Sequence, residues 1–178
     1  MHTTYIALGG NLPSWAGEPE ATLAAAAQRL ESLGRIASRS SLYSTEPVGL
    51  ADQPRFVNAV VELQTELEPL DLLRQMLDLE AEFGRDRSAG ITNGPRTLDL
   101  DLLLCEEKIL NEPELQLPHP RLAERAFVLV PLAEIAPQAL DPRSGKTVAE
   151  LFKKLLDNSP NDALAVEQFH CEVWDKCR

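Results

Sequence analysis

The sequence has few of the residues that form disulfides or bind zinc. It has three cysteines and three histidines among 178 residues. An odd cysteine count without framework spacing excludes a disulfide scaffold and favours reduced thiols in a cytoplasmic setting. His170, Cys171 and Cys177 lack the spacing of a zinc site. No apolar run approaches the 18 or so residues of a membrane span, and the amino terminus lacks the basic and apolar regions of a signal peptide. We therefore expect neither a leader nor membrane contact.

Positive charge is also scarce, with 17 lysines and arginines against 28 aspartates and glutamates and a formal net charge of −11. General nucleic-acid binding needs a basic field, so the composition argues against a nucleic-acid partner. A polyanionic small molecule must then be held by local arginines and a metal ion. The length and the hydrophobic content of 44% are typical of one globular domain.

The most informative segment runs from 93 to 104 and predicts a strand with two carboxylates on one face. Side chains alternate along a strand, so Asp99 and Asp101 point the same way, roughly 7 Å apart. Two like charges so placed repel each other, and a hard cation such as Mg²⁺ would reverse that cost. The opposite face is apolar and faces a core: Leu98, Leu100, Leu102 and Leu104.

Three arginines lie close to this pair along the chain, at Arg85, Arg87 and Arg96. Oxygen-bound Mg²⁺ beside arginine is typical of phosphoryl transfer, where positioning and charge neutralisation supply most of the catalysis. The alternative is an edge strand whose outer face is simply solvated.

The order of elements indicates a ferredoxin-like α+β fold. Helical spacing of apolar residues favours two helices, which begin at Pro19 and Pro69 and end near Gly34 and Gly84. With strands over 5–8, 36–44, 56–67 and 97–104, the order is β-α-β-β-α-β. That order predicts an antiparallel sheet with both helices on one face and an open, ligand-binding second face. A small return strand over 108–110 is also expected.

The third strand carries an informative alternation. One face is apolar, and the other begins with Phe56 and Asn58. These two side chains lie on the same side as the aspartate pair. A planar heterocycle could stack between Phe56 and Phe127, with the amide of Asn58 at its edge. Core packing of each phenylalanine is the alternative.

The remaining part of the chain is less regular. The segment 127–136 predicts a helix that properly begins at Pro131, and Thr147 with Glu150 forms a capping box before a helix over 151–156. The pattern fades after Asn158. We therefore expect one domain over 1–158 and C-terminal helices, with 159–178 as a tail of unknown role.

Two further polar residues have an open role. Glu80 falls on the buried stripe of the second helix, where it either reaches water or meets a ligand or an arginine. His119 lies between two prolines, with Arg121 and Arg125 close behind. It is either a structural histidine or part of a phosphate-facing segment.

Several separate segments resemble 6-hydroxymethyl-7,8-dihydropterin pyrophosphokinases of the folate pathway, across residues 4 to about 140. The matching pieces, in chain order, are 5–12 (YIALGGNL), 43–49 (YSTEPVG), 52–59 (DQPRFVNA), 80–85, 94–101 (GPRTLDLD), 118–120 (PHP) and 125–127 (RAF).

The resemblance implies that the chain transfers the diphosphate of ATP to the hydroxymethyl group of the pterin and releases AMP. It implies that Asp99 and Asp101 bind two Mg²⁺ ions, and that Arg85 and Arg96 stabilise charge during the transfer. These four residues are the expected catalytic set.

The resemblance also implies the binding residues. Those expected around ATP are Glu80, Arg87, Leu102, Leu115, Gln116, His119 and Arg125. Those expected around the pterin are Thr45, Val48, Phe56, Asn58 and Phe127. Family members close a lid that corresponds to 85–95. We expect a cytoplasmic monomer whose partners are these small molecules. The alternatives are another Mg²⁺-dependent nucleotide-using transferase, or a catalytically silent small-molecule-binding domain.

Overall fold

The computed structural model describes residues 1–47, 52–87 and 94–176. Most of the regular elements belong to the main sheet and its helices, and the rest form small hairpins or a short 3₁₀ helix. In chain order they are β1 (His2–Gly10), α1 (Pro19–Leu30), β2 (Arg35–Arg39), β3 (Leu42–Thr45), β4 (Phe56–Thr65), α2 (Pro69–Glu82), β5 (Asp99–Cys105), β6 (Leu110–Asn111), β7 (Gln116–Leu117), the 3₁₀ helix Leu122–Glu124, α3 (Ala126–Ile135), β8 (Leu140–Asp141), β9 (Lys146–Thr147), α4 (Val148–Asn158), α5 (Pro160–Leu164), β10 (Glu167–Phe169) and α6 (Glu172–Asp175).

The main sheet has the predicted ferredoxin-like arrangement. Its strand order is β10-β3-β4-β1-β5, with β2 also paired to β4, and the pairings are antiparallel. Helices α1 and α2 follow β1 and β4, and each begins at a proline, which suits the first helical position. Within the described residues, no helix has the length and apolar character to cross a bilayer.

One face of the sheet packs against α1 and α2 to form the main core. Alternate residues of β4 supply it from the sheet, as predicted, and α2 supplies Leu72 and Met76, both fully buried. The opposite face of the sheet is only partly open, which differs from the prediction. Helices α3 and α4 cover its far end around Val60 and Leu104. The uncovered end lies where β1 ends and where β4 and β5 begin, and this is where the site lies.

A bulge in β5 overturns the expected position of Leu104. Tyr5 pairs with Leu104 and Ile6 pairs with Leu102, so Leu103 is an extra residue between them. The alternation therefore reverses, and Leu104 packs with Leu103 under α3 and α4 instead of in the main core. Leu98, Leu100 and Leu102, which precede the bulge, lie in the main core as predicted.

The predicted single strand over 36–44 is interrupted at two serines. The amide of Val60 donates to the hydroxyl of Ser40 at 2.9 Å, and this bond replaces a normal ladder bond between main-chain groups. The carboxylate of Glu134, on α3, accepts from the amide of Ser41 at 2.8 Å. The chain therefore divides into β2 and β3, whose registers against β4 differ.

Helix α3 begins at Ala126 and holds Pro131 in its interior, so the predicted start at Pro131 is wrong. An internal proline costs about 3 kcal/mol, because it lacks an N–H and crowds the preceding turn. Here an almost entirely apolar helix packs on the sheet, and Val128, Leu129 and Leu132 are at most 1% exposed. Their burial outweighs the proline cost. The capping box of Thr147 and Glu150 is confirmed at the start of α4, while the return strand lies at 110–111 and pairs with β7.

The segment after Asn158 docks on the body, which the fading pattern did not predict. Strand β10 pairs with β3 along Leu42–Ser44. Trp174 is fully buried beside α1, and its indole N–H donates to the carbonyl of Ser40 at 2.8 Å. Cys177 lies outside the described residues. The tail therefore contributes packing and sheet pairing to the fold.

Replacing Trp174 with alanine is expected to lower the free energy of unfolding by about 3–5 kcal/mol, the usual cost of emptying a large buried aromatic site. The sequence left the role of 159–178 open, and this variant tests whether the docked segment stabilises the fold. Urea unfolding followed by circular dichroism measures the change. The exposed Trp15→Ala variant is the control, and equal losses in both variants would contradict the docking.

Candidate active site

A pocket of about 270 Å³ occupies the uncovered end of the sheet. Its wall comes from β3, β4, β5, the segment before β5, and the segment that leads into α3. The lining residues are Thr45, Glu46, Phe56, Asn58, Arg85, Arg87, Arg96, Asp99, Asp101, Arg121, Arg125 and Phe127. The pocket lining therefore combines two aromatic rings and an amide with a group of carboxylates and arginines.

The structure brings the expected catalytic set and six of the twelve expected binding residues to this one pocket. Two lining residues were not in the expected site, Glu46 and Arg121, although Arg121 belongs to the segment that was considered as phosphate-facing. Glu46 directly follows Thr45 in a matching segment, and Arg121 follows the proline-flanked His119. Proximity along the chain to assigned residues was the available signal for both.

Asp99 lies between two arginines. Its side chain is 19% exposed, and it contacts the guanidinium groups of Arg85 and, at 2.9 Å, Arg96. Burial opposes ionisation of this carboxyl, but the charges of Arg96 and Arg85 outweigh it and hold the pKa of Asp99 below its usual range. The carboxylate is therefore charged and compensated, which differs from the uncompensated repulsion expected from the sequence.

Asp101 is the more open of the two carboxylates, with 34% of its side chain exposed. Arg125 donates to its Oδ2 atom at 3.1 Å. Asp99 and Asp101 both line the pocket, as the strand alternation predicts. In this state each carboxylate faces an arginine.

Glu80 is a buried carboxylate that holds two of the pocket arginines, Arg85 and Arg87. Its side chain is 1% exposed, and it pairs with Arg85 at 2.7 Å and with Arg87. The amide of Leu100 also donates to it, at 2.8 Å. Burial raises the pKa of Glu80, while the hydrogen bonds from Leu100 and Arg87 oppose that rise. Of the two readings of this residue, the structure favours the arginine partner over water.

Arginines also cover the two aromatic rings. The guanidinium carbon of Arg96 lies 4.8 Å from the centre of the Phe56 ring, and that of Arg125 lies 5.7 Å from the Phe127 ring. Both distances are within cation–π range. The Nδ2 atom of Asn58 donates to the hydroxyl of Thr45 at 2.9 Å, which fixes the orientation of that amide.

Asn11, which follows β1, positions the segment that carries Arg96. Its Oδ1 atom accepts from the Arg96 amide at 2.9 Å, and its Nδ2 atom donates to Gln53 and to the carbonyl of Pro54. Gly10 next to it must lack a side chain, because a Cβ atom there would lie 2.3 Å from the carbonyl oxygen of Thr97. The end of β1 therefore ties the segment that carries Arg96 to the segment that precedes β4.

Five of the seven expected nucleotide-binding residues do not line the pocket, and Glu80, described above, is one of them. Leu102 and Leu115 are buried in the main core, with 3% and 7% exposure, and Gln116 is exposed on β7. His119 is held by its amide, which donates to the carbonyl of Leu103 at 2.8 Å. Burial lowers its pKa. Val48 and residues 88–93 of the expected lid lie outside the described residues.

The donor set around the aspartate pair suits magnesium better than a closed metal cage. Across the described residues, no three histidine, cysteine or acidic side chains group as a metal site. Mg²⁺ is usually bound by one or two carboxylates together with substrate phosphates and water. Two neighbouring carboxylates that open into a polar pocket fit that requirement.

Comparison with known proteins agrees with this geometry. A sequence model of the 7,8-dihydro-6-hydroxymethylpterin-pyrophosphokinase family matches residues 5–137. The chain is 47% identical over 154 residues to the 2-amino-4-hydroxy-6-hydroxymethyldihydropteridine pyrophosphokinase of Pseudomonas aeruginosa, covering 85% of this chain and 91% of that protein. It is 41% identical to the Haemophilus influenzae protein of the same name, covering 89% and 96%.

A solved structure gives the same fold at low identity. The crystal structure of Plasmodium falciparum HPPK-DHPS with STZ-DHP superimposes with a TM-score of 0.71 at 14% identity, covering 96% of this chain and 45% of that one. This likeness shows the fold, and the sequence matches show the family. The chain belongs to the 7,8-dihydro-6-hydroxymethylpterin-pyrophosphokinase family.

Proposed function

We propose that this diphosphokinase of folate biosynthesis uses ATP as its donor and performs the transfer in the pocket at the end of the sheet. The observation that carries the proposal is the arrangement of that pocket. Two carboxylates and several arginines line it together with Phe56, Phe127 and Asn58. The charged group suits a polyphosphate with its metal, and the aromatic and amide group suits a flat, amide-edged ring.

The reaction transfers a diphosphate from ATP to the dihydropterin. The hydroxymethyl oxygen of the dihydropterin forms a bond to the β-phosphorus of ATP, and the bond from that phosphorus to the α–β bridging oxygen breaks. AMP leaves with the bonding electron pair, and the hydroxyl proton passes to solvent. Little covalent chemistry is required of the protein, so it acts by positioning the reactants and stabilising charge.

The carboxylates of Asp99 and Asp101 would hold two Mg²⁺ ions, which neutralise phosphate charge and orient the reacting oxygens. The arginines that now face these carboxylates would then bind phosphate oxygens: Arg85 and Arg96 now contact Asp99, and Arg125 contacts Asp101. The buried Glu80 would keep its pairs with Arg85 and Arg87. Arginine suits this role because its planar donors match phosphate oxygens in pairs.

The same exchange would uncover the residues that are proposed to bind the pterin. Arg96 now lies over the Phe56 ring, so its movement toward phosphate would free that face for the pterin. Phe127 offers the second stacking face. The Asn58 amide, held by Thr45, would bond the amide-like edge of the pterin.

A coupled assay of AMP release tests the proposal. We expect AMP formation that requires ATP, Mg²⁺ and 6-hydroxymethyl-7,8-dihydropterin together. Formation of ADP or free pyrophosphate would assign the chain to another nucleotide-using transferase. Absence of turnover despite ligand binding would favour a silent binding domain. The family assignment favours neither alternative.

The Phe127→Ala variant is expected to weaken pterin binding by about 1–3 kcal/mol, because one stacking face and its buried area are lost. ATP binding should change much less. Isothermal titration calorimetry with each ligand measures both effects. Phe152→Ala is the matched control, since Phe152 packs against the same apolar cluster as Phe127 but does not line the pocket. Equal losses for both ligands, or in both variants, would indicate a packing defect instead.

A further inference from the structure

Arginines dominate the charge of the pocket, and four of the five that line it are already paired. Their partners are two carboxylates that line the pocket, Asp99 and Asp101, and one that is buried, Glu80. We call the four paired arginines the floor arginines. The pairs join Arg85 and Arg96 to Asp99, Arg125 to Asp101, and Arg87 to the buried Glu80. A phosphate that enters the pocket must compete with these carboxylates before any of the four arginines can bind it.

Arg121 is held differently. Among the described residues, the carboxylate within ion-pair distance of it is Glu124, whose oxygen lies 3.5 Å from Nε. The two side chains are 51% and 67% exposed, so water screens the pair and it contributes little free energy. Arg121 nevertheless lines the same pocket as the floor arginines. Arg87 is also exposed, at 56%, but it is paired with a carboxylate that is only 1% exposed, so water screens that pair less. The charge of Arg121 is therefore the least compensated of the five.

The main chain fixes where this charge is presented. The amide of Arg121 donates to Nδ1 of His119 at 3.0 Å, and the amide of Leu122 donates to the His119 carbonyl at 3.0 Å. His119 is itself bonded to β5 through Leu103. The guanidinium is thus exposed at the end of a flexible side chain, but the segment that carries it is tied to the strand of the two aspartates.

The overall charge of the chain makes such a residue useful. A formal net charge of −11 repels a nucleotide at a distance. A local positive charge at the rim of a cleft raises the concentration of anionic ligand there and speeds association, and salt weakens this effect.

We propose that Arg121 makes the first contact with the phosphates of the donor nucleotide, and holds them at the pocket rim while Arg85, Arg96 and Arg125 exchange their aspartates for phosphate. This assignment rests on the proposed function. It predicts that Arg121 acts mainly on the rate of nucleotide association, whereas Arg85 and Arg96 act on the chemical step.

Stopped-flow association of a fluorescent N-methylanthraniloyl ATP with the full chain, in Mg²⁺ and without pterin, tests the assignment. Arg121→Gln is expected to slow association about three- to tenfold at low salt, and the difference from wild type should shrink at high salt. Glu124→Gln removes the competing carboxylate, so it should speed association. Arg121→Lys should keep most of the wild-type rate, because steering depends on charge.

Arg74→Gln is the matched control. Arg74 forms an exposed ion pair with Asp71, three residues away, and does not line the pocket. Equal association rates for Arg121→Gln and Arg74→Gln, or slower association in Glu124→Gln, would overturn the assignment. If the wild-type chain binds no nucleotide in Mg²⁺, the proposed function itself fails.

Discussion

Replacing Asp99 or Asp101 with asparagine is expected to lower kcat by about three orders of magnitude or more. Each variant removes a charged oxygen donor from the proposed magnesium site, and metal stabilisation of phosphoryl transfer is worth several kcal/mol. Asparagine keeps the size of the side chain, so packing on β5 is preserved. The AMP-release assay at saturating ATP, pterin and Mg²⁺ measures kcat.

The two variants should differ in stability. Asp99 now holds two arginines, so Asp99→Asn leaves them without a charged partner there and should lower the free energy of unfolding by about 1–3 kcal/mol. Asp101 has one partner and is more exposed, so its replacement should cost less. Asp71→Asn, on the exposed face of α2, controls for loss of a surface carboxylate. Turnover near the wild-type value in either pocket variant would refute the metal role.

Replacing Arg85 or Arg96 with alanine should lower kcat about 10³-fold while KM for either substrate changes far less. An arginine that stabilises charge on a transferring phosphoryl group acts in the transition state, and such a residue can be worth this much. Steady-state kinetics with each substrate varied in turn separates the two parameters. A change confined to KM would reassign these arginines to ground-state binding.

Folding must be measured alongside these kinetics. Arg85→Ala leaves the buried Glu80 with Arg87 as its remaining arginine, so this variant should also lose stability. Arg85→Lys restores a positive charge near Glu80 without the paired donors of a guanidinium. It should therefore recover stability more than activity. Arg74→Ala is again the surface control. Recovery of full activity by lysine would show that charge alone is sufficient.

Sequence patterns were sufficient for the central sheet and for the polar face of its strands. Alternation along β4 and β5 placed Phe56, Asn58, Asp99 and Asp101 on one side, because both strands are regular at that end. The prediction for Leu104 failed a few residues later, since one extra residue reverses a two-residue period. Nothing in a run of consecutive leucines marks which of them bulges out of the ladder.

The other differences arise from contacts between distant parts of the chain. The break at Ser40 and Ser41 depends on Val60 and Glu134, and neither is near them in sequence. The segment around Trp174 has no helical or strand period that predicts its place, yet Trp174 fills the space beside α1. Glu46 joined the pocket through the fold, and a single side chain carries no pattern that predicts such a position. Arg121 had a weaker signal, because a phosphate-facing segment with His119 and Arg125 was one of two open alternatives.

Docking of the last strand also affects whether the edge of the main sheet can pair with another copy of the chain. An unpaired strand edge offers a row of N–H and C=O groups that can template pairing with another molecule. Strand β10 occupies that position along β3, and β10 itself is only three residues long. A short edge gives an incoming strand few bonds to make. The segment after Asn158, which also places Trp174 in the core, thus reduces the tendency of this sheet edge to pair with another molecule.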